Sequence, residues 1–318
     1  MLSRVADNLY WMSRYLERAE HTARLAGVNL DLAIDRTPEA SSWKWNQLFE
    51  SLQVEEPDCA LDAASIATAL TYDATRGESI AAYVSAAREN ARQVREQVSS
   101  EMWEQLNRLY WQVKQASHDV AEAQQPFESL RSIIDGVYLF KGVTNSTMSR
   151  GEGWHYIQLG RFIERASATA LLLDVHLRAF PQLGQGVVES ADAPEWVGLL
   201  RSCTAFEAYC RRYTATLEPK RIADFLLLDA EFPRSVRFAV EQIENSLRII
   251  TRLSGRSNAG RPERLAGRLR ASLYYAQVDE IVADNPRQFL ENVRRQCALV
   301  HTATYHTFIT YQVEPALA

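Results

Sequence analysis

Little in this chain interrupts a helix. Its 318 residues include only 13 glycines and 10 prolines, and no stretch alternates apolar and polar residues long enough to read as a strand. Four cysteines, Cys59, Cys203, Cys210 and Cys297, form no C-x-x-C and lie beside no histidine at zinc-ligand spacing. They read as small buried side chains, with no metal expected. No window of about 18 consecutive apolar residues occurs, so no membrane span is expected. The opening MLSRVADNLYWM carries charge within its first apolar stretch and has no small-residue cleavage site, so a cytoplasmic protein is expected. A net charge of −5 argues against a broad nucleic-acid surface. No G-x-x-x-x-G-K-[ST], glycine-rich strand–helix turn or G-x-S-x-G is present, so no nucleotide or other cofactor is expected.

Lysine is scarce as well. Of 35 basic residues four are lysine, Lys44, Lys114, Lys141 and Lys220, and the rest are arginine. Two explanations stay open: fixed, forked ion pairs and anion contacts, or a genome whose base composition favours arginine codons.

What is present is a helix written twice. Residues 14–28 read RYLERAEHTARLAGV and residues 161–175 read RFIERASATALLLDV. At an offset of 147, eight of the fifteen positions are identical, among them Arg14/Arg161, Glu17/Glu164 and Arg18/Arg165. Weaker matches follow in order: Trp45 and Leu48 with Trp196 and Leu199; Leu70, Asp73 and Ser79 with Leu226, Asp229 and Ser235; Pro126 and Leu130 with Pro286 and Leu290. The offset grows steadily, as it does when loops lengthen between equivalent helices. An all-α fold is predicted, with two pseudo-twofold-related repeats, 1–150 and 151–318, packed into one globular unit. The predicted helices lie near 3–36, 43–53, 61–72, 78–98, 101–124 and 126–141, then 152–180, 193–217, 220–228, 233–254, 262–283 and 286–312. Lys141 to Gly153, with three glycines, reads as an ordered loop between the halves.

On the first helix Arg14, Glu17, Arg18 and His21 share one side. The second copy is apolar almost all round, with Trp154, Ile157, Ala168, Leu172 and Val175 above and below its motif, so it should be buried. Its charges are then polar islands, retained only when paired. Arg14–Glu17 and Arg161–Glu164, at i,i+3, can pair within a helix. That leaves Arg18 and Arg165 free for a partner helix or an anion. Two readings stay open: a structural ion network near the pseudo-twofold axis, or a cleft that binds a carboxylate or phosphate.

Three blocks, MLSRVADNLYWMSRYLERAEHTAR, SAARENARQVREQVSSEMWEQLNRLYW and GWHYIQLGRFIERA, resemble the bacterial alpha-E family, a helical domain named for its Glu-Arg motif. The resemblance spans essentially the whole chain. It implies that Glu17, Arg18, Glu164 and Arg165 are the motif residues, with Arg88, Glu89, Asn90, Arg92, Glu101 and Trp103 as looser candidates. Asn90, Arg92, Glu101 and Trp103 read equally well as ordinary helix faces. The family's genes commonly neighbour a circularly permuted ATP-grasp ligase and a transglutaminase-like protease. Both are therefore expected partners, with a peptide or amino acid as the possible substrate. Asp73 and Asp229, six residues before Ser79 and Ser235, are secondary candidates, although Thr75-Arg76-Gly77-Glu78 differs from the Glu231-Phe232-Pro233-Arg234 of the second copy.

Other chemistries find no complete set. Glu152-Gly153-Trp154-His155 alone has the spacing of a di-metal carboxylate site, which needs two such pairs. Asp31 and Asp35 resemble half of an isoprenoid-synthase site, but the matched helix offers Asp174 and then Arg178. The sequence reading is an accessory or co-catalytic subunit of an amide-bond-forming system. Its alternatives are an enzyme with Glu17 or Glu164 as acid/base and the arginines as an anion clamp, or a plain scaffold.

Overall fold

The computed structural model describes residues 1–33, 38–73, 75–116, 126–184, 186–255 and 260–310, apart from the side chains of 38–42. The structure is helical throughout, and no strand occurs among these residues. The first helices are α1 (Ser3–Ala33), α2 (Pro38–Leu52), α3 (Ala63–Tyr72), α4 (Ile80–Gln93), α5 (Ser100–Ala116) and α6 (Pro126–Thr147). They are followed by α7 (Glu152–Ala179), α8 (Ala193–Ser202), α9 (Phe206–Tyr213), α10 (Pro219–Leu228) and α11 (Val236–Leu253). The last are α12 (Arg261–Tyr275), α13 (Val278–Ala283), α14 (Pro286–Thr304) and a π-helical turn at Tyr305–Ile309. The expected helix segments at 34–36, 117–124 and 311–312 lie outside the described residues.

Several expected bounds move for local reasons. The single helix expected over 193–217 breaks because Thr204 takes a left-handed conformation, φ 49°, where a β-branched residue cannot continue a helix. The helix expected over 262–283 is interrupted at Ala276 and Gln277, which are extended. The expected inter-repeat loop is mostly helix: α6 runs to Thr147 and α7 begins at Glu152. Lys141 and Gly142 therefore belong to a helix face. Ser79 and Ser235 cap α4 and α11, accepting from the amides of Ala82 and Phe238 at 3.1 and 3.0 Å.

The long helices α1 and α7 form the centre. α1 lies against α4, α6 and α7; α7 lies against α11, α14 and α1. α1 and α7 run side by side in the same direction, because their contacts advance together. The amino terminus meets Glu152, Arg14 meets Glu164, and Glu17 meets Arg165. Gly160 permits the close approach. A Cβ there would sit 2.4 Å from the Tyr10 carbonyl oxygen and the Ser13 hydroxyl. Beside this crossing α2 and α8 each add a tryptophan, Trp45 and Trp196, both essentially fully buried. Their preceding residues, Lys44 and Glu195, form a buried ion pair.

Candidate functional site

The motif residues do not pair along their helices. Each glutamate is bound by arginines of the other helix, so the expected Arg14–Glu17 and Arg161–Glu164 pairs are replaced by crossed ones. Arg165 donates to both oxygens of Glu17, from Nε at 2.7 Å and Nη2 at 3.0 Å. In exchange Arg18 donates from Nε to Glu164 at 2.7 Å, and Arg14 adds a bond from its own Nε at 2.8 Å. The side-by-side packing of α1 and α7 explains the exchange, since residues one position apart on parallel helices face each other across the seam.

Around Glu17 the network is dense and closed. Glu17 is 2% exposed, and Glu20, one turn on, is fully buried. Lys141 reaches Glu17 at 2.6 Å and Glu20 at 3.3 Å. Arg234 straddles Glu20 at 2.7 and 2.8 Å, and Arg24 also pairs with it. Burial alone would raise the Glu17 carboxyl; Arg165, Lys141 and Arg234 overcome that and hold it well below the usual carboxylate range. Burial pulls the Lys141 ammonium well below its own usual range, against the attraction of Glu17. All three guanidinium nitrogens of Arg165 are engaged, the last on the Pro233 carbonyl at 3.0 Å. Of the two destinations expected for it, a partner helix or an anion, Arg165 takes the partner helix and is committed inside the protein.

Around Glu164 the network is thinner and reaches solvent. Arg14 stacks over the Trp11 ring, 4.7 Å from its centroid, and donates to Nδ1 of His301 at 3.2 Å. Because arginine only donates, that nitrogen is an acceptor. The Tyr10 hydroxyl, 2.7 Å away, donates to it too. Burial, then Arg14, depresses His301 to about 4. Burial would raise Glu164, but Arg14 and Arg18 outweigh it and the carboxyl is lowered. Arg18, its side chain 32% exposed, spends only Nε on Glu164; its terminal nitrogens make no hydrogen bond among the described residues. Arg161, the counterpart of Arg14, makes no ion pair among them. It lies over the Phe162 ring at 4.6 Å, with its Nε buried and unbonded.

Arg18 and Glu164 form part of the floor of a cleft of about 490 Å³, walled by Tyr15, Tyr83 and Leu171. Beside it a second cavity of about 20 Å³, room for one water-sized atom, is lined by Glu17, Arg18, His21, Arg24, Glu164, Arg165 and Arg234. Arg18, His21, Glu164 and Ala168 line both spaces.

The looser candidates lie elsewhere. Arg92 pairs with Glu89, and both are exposed. Asn90 donates back to the Ala86 carbonyl within α4 at 2.8 Å. Glu101 is exposed in the first turn of α5. Trp103 lies beneath Arg88 and Arg95, at 5.5 and 5.7 Å. Asp73 and Asp229 order the turns before the Ser79 and Ser235 caps, accepting from Thr75 at 3.0 Å and from Glu231 at 2.8 Å. Of the two, Asp229 alone is ion-paired among the described residues, with Arg212. None of these side chains lines the cleft or the small cavity. No group of three or more His, Cys, Asp or Glu side chains suited to a metal ion occurs among the described residues, nor is any helix there long and apolar enough to cross a membrane.

Sequence reasoning passed over Glu20, Arg24, Lys141, Arg234 and His301 as site residues. Glu20 was the most accessible of these, standing one turn from Glu17 on the same helix. Lys141 and Arg234 lie more than 100 positions from Glu17 in the chain, and only the packing of α6 and of the α11 entry turn brings them in.

The chain belongs to the Alpha-E family, described as a predicted alpha-helical domain with a conserved ER motif, whose model matches residues 1–309. It is 27% identical over 310 residues to the uncharacterized protein Mb2597 of Mycobacterium bovis and to the uncharacterized protein Rv2567 of Mycobacterium tuberculosis. The match covers 89% of this chain and 34% of each relative, so the chain spans about a third of their length. No solved structure matches.

Proposed function

We propose that this Alpha-E chain is a helical accessory module whose cleft receives an acidic group, a carboxylate or phosphate, from a peptide or a partner protein. The observation that carries the proposal is Arg18. It is anchored by Nε on Glu164, its terminal nitrogens make no hydrogen bond among the described residues, and it lines an open cleft. A guanidinium held in that way is pre-aligned for forked recognition of a carboxylate or phosphate. On the resemblance described above, the partners are a circularly permuted ATP-grasp ligase and a transglutaminase-like protease, and the system makes or breaks amide bonds in the cytoplasm.

The proposal includes a duplicated architecture of two repeats, 1–150 and 151–318. The crossed pairs support it, because Glu17–Arg165 becomes Glu164–Arg18 when 147 is exchanged between partners. Positions matched in sequence also touch: Ser13 meets Gly160, and Lys44 meets Glu195. Contacts between equivalent positions are what a twofold axis generates.

An acid/base enzyme is less well supported. A general acid needs a carboxyl raised toward the working pH, whereas Glu17 and Glu164 are both lowered. The test is Arg18→Lys, which keeps the charge and removes the fork. It should fold like the parent yet lose at least tenfold in affinity for the copurified ligase or its acidic peptide, read by isothermal titration. Parent-like binding would leave the motif as scaffold alone.

A further inference from the structure

The small cavity beside the cleft is lined by four arginines, Arg18, Arg24, Arg165 and Arg234, against two carboxylates, Glu17 and Glu164. Six basic side chains gather in this network: Arg14, Arg18, Arg24, Lys141, Arg165 and Arg234. Three carboxylates, Glu17, Glu20 and Glu164, answer them. Were Lys141 neutral, five arginines would still face three carboxylates, and arginine does not deprotonate in proteins. Buried charge without a partner is among the costliest features a fold can carry. The surplus therefore points to an anion that arrives from outside.

His21 marks where it enters. Nη2 of Arg24 lies 3.3 Å from Nδ1 of His21. An arginine can only donate, so Nδ1 accepts and the ring proton sits on Nε2. That Nε2 is buried and has no hydrogen-bond partner among the described residues, and His21 lines both the cavity and the cleft. Arg18 and His21 each line both spaces, so the unbonded His21 N–H and the two terminal nitrogens of Arg18 are donors available where the cavity and the cleft adjoin. The carboxylate oxygens nearby are already taken by arginines.

We propose that the cleft binds a phosphoryl dianion, one oxygen entering the small cavity against His21 Nε2–H and the others held by Arg18 at its mouth. A carboxylate would offset one of the surplus charges and a phosphoryl dianion two. The cavity admits one atom, which suits a tetrahedral head seated by a single oxygen. The Tyr15 and Tyr83 rings, stacked 6.3 Å apart on the cleft wall, suit an organic group on the fourth oxygen. The assignment rests on the acidic-group reading of the cleft and narrows it to one head group.

The experiment titrates the full chain with phenyl phosphate, benzoate and chloride at matched ionic strength near pH 8, by calorimetry and thermal shift. Phenyl phosphate and benzoate share a ring and differ in head group. The expected result is saturable binding of phenyl phosphate, at least tenfold tighter than benzoate, with no specific effect of chloride. His21→Phe should lose most of that binding, while His21→Gln, which keeps an N–H donor, should retain part of it. Should His21→Phe fail to fold, the head-group comparison on the parent chain still decides. Benzoate binding as tightly as phenyl phosphate would overturn the phosphoryl assignment and leave the acidic-group cleft standing. Binding of neither, with the ligase also unbound, would overturn both. Phenyl phosphate binding untouched by His21→Phe would place the phosphoryl group elsewhere and overturn the assignment to this junction.

Discussion

The two Glu-Arg motifs are near copies in sequence, yet they sit in different surroundings. Glu17 is sealed under Arg165, Lys141 and Arg234 at 2% exposure. Glu164, its side chain 15% exposed, has two arginines and a cleft beside it. The same residues can therefore hold two helices together on one side and line an open cleft on the other. What separates the outcomes is the neighbouring elements. On the first side α6 and the entry turn of α11 contribute Lys141 and Arg234. On the second, Tyr15, Tyr83 and Leu171 wall an open space.

The largest expected effect breaks the sealed side. Glu17→Ala leaves Arg165 without its carboxylate and should cost about 3–5 kcal/mol, read by denaturant unfolding. Glu164→Ala should cost distinctly less, because Arg14 and Arg18 regain water through the cleft. Equal losses would erase the contrast between the two sides. Replacing Glu17 and Arg165 together with apolar residues should cost less than the sum of the single changes.

A second effect follows from pH. Burial holds His21 and His301 to about 4 and His176 to about 3. Below about pH 6.5 the unfolded chain takes up protons that the folded chain refuses. Stability contributed by these groups is therefore full above that pH and is lost as pH falls toward 4, by up to about 1.4 kcal/mol per pH unit for each histidine. Glu17 works in a lower window. Its folded carboxyl is depressed, so its contribution is present above the unfolded value of about 4.3 and is lost as pH falls below it. Unfolding curves across pH 3–8 for the parent and His301→Gln should show the upper window narrow in the variant. Identical profiles would mean that His301 titrates normally.

Arg161 sharpens the comparison from the other direction. By sequence it matches Arg14, and its spacing allowed an in-helix pair with Glu164. Having no ion pair among the described residues, Arg161→Met should instead change stability by no more than about 1 kcal/mol, in either direction. A loss of several kcal/mol would reveal a partner. The smallest effects belong on the α4 and α5 surfaces: Arg92→Ala and Glu101→Ala should each stay within about 0.5 kcal/mol in the same unfolding assay.

Much of this was legible before the fold. Low glycine and proline with helical periodicity implied an all-α chain, and the nearly all-apolar second motif implied burial of α7, where Phe162, Ile163 and Ala166 are indeed core. The starts of α4 and α11 were readable to within three residues, because helix starts depend on local residues. Ion-pair partners were not, because i,i+3 spacing shows which residues can meet within one helix and says nothing of a second helix alongside. The break at Thr204 was hidden too, since neither glycine nor proline marks it.

The sequence by itself determined the helical class, the repeated motif and the need to pair its charges. These follow from local propensity, periodicity and the cost of burying an ion, none of which depends on where the chain folds back. The tertiary structure decided who pairs with whom. Arg165 finds Glu17, and Arg18 finds Glu164, only because Gly160 lets α7 run close beside α1. It also decided that Arg18 keeps free donors at a cleft while Arg165 does not, since access to solvent is a property of the assembled surface.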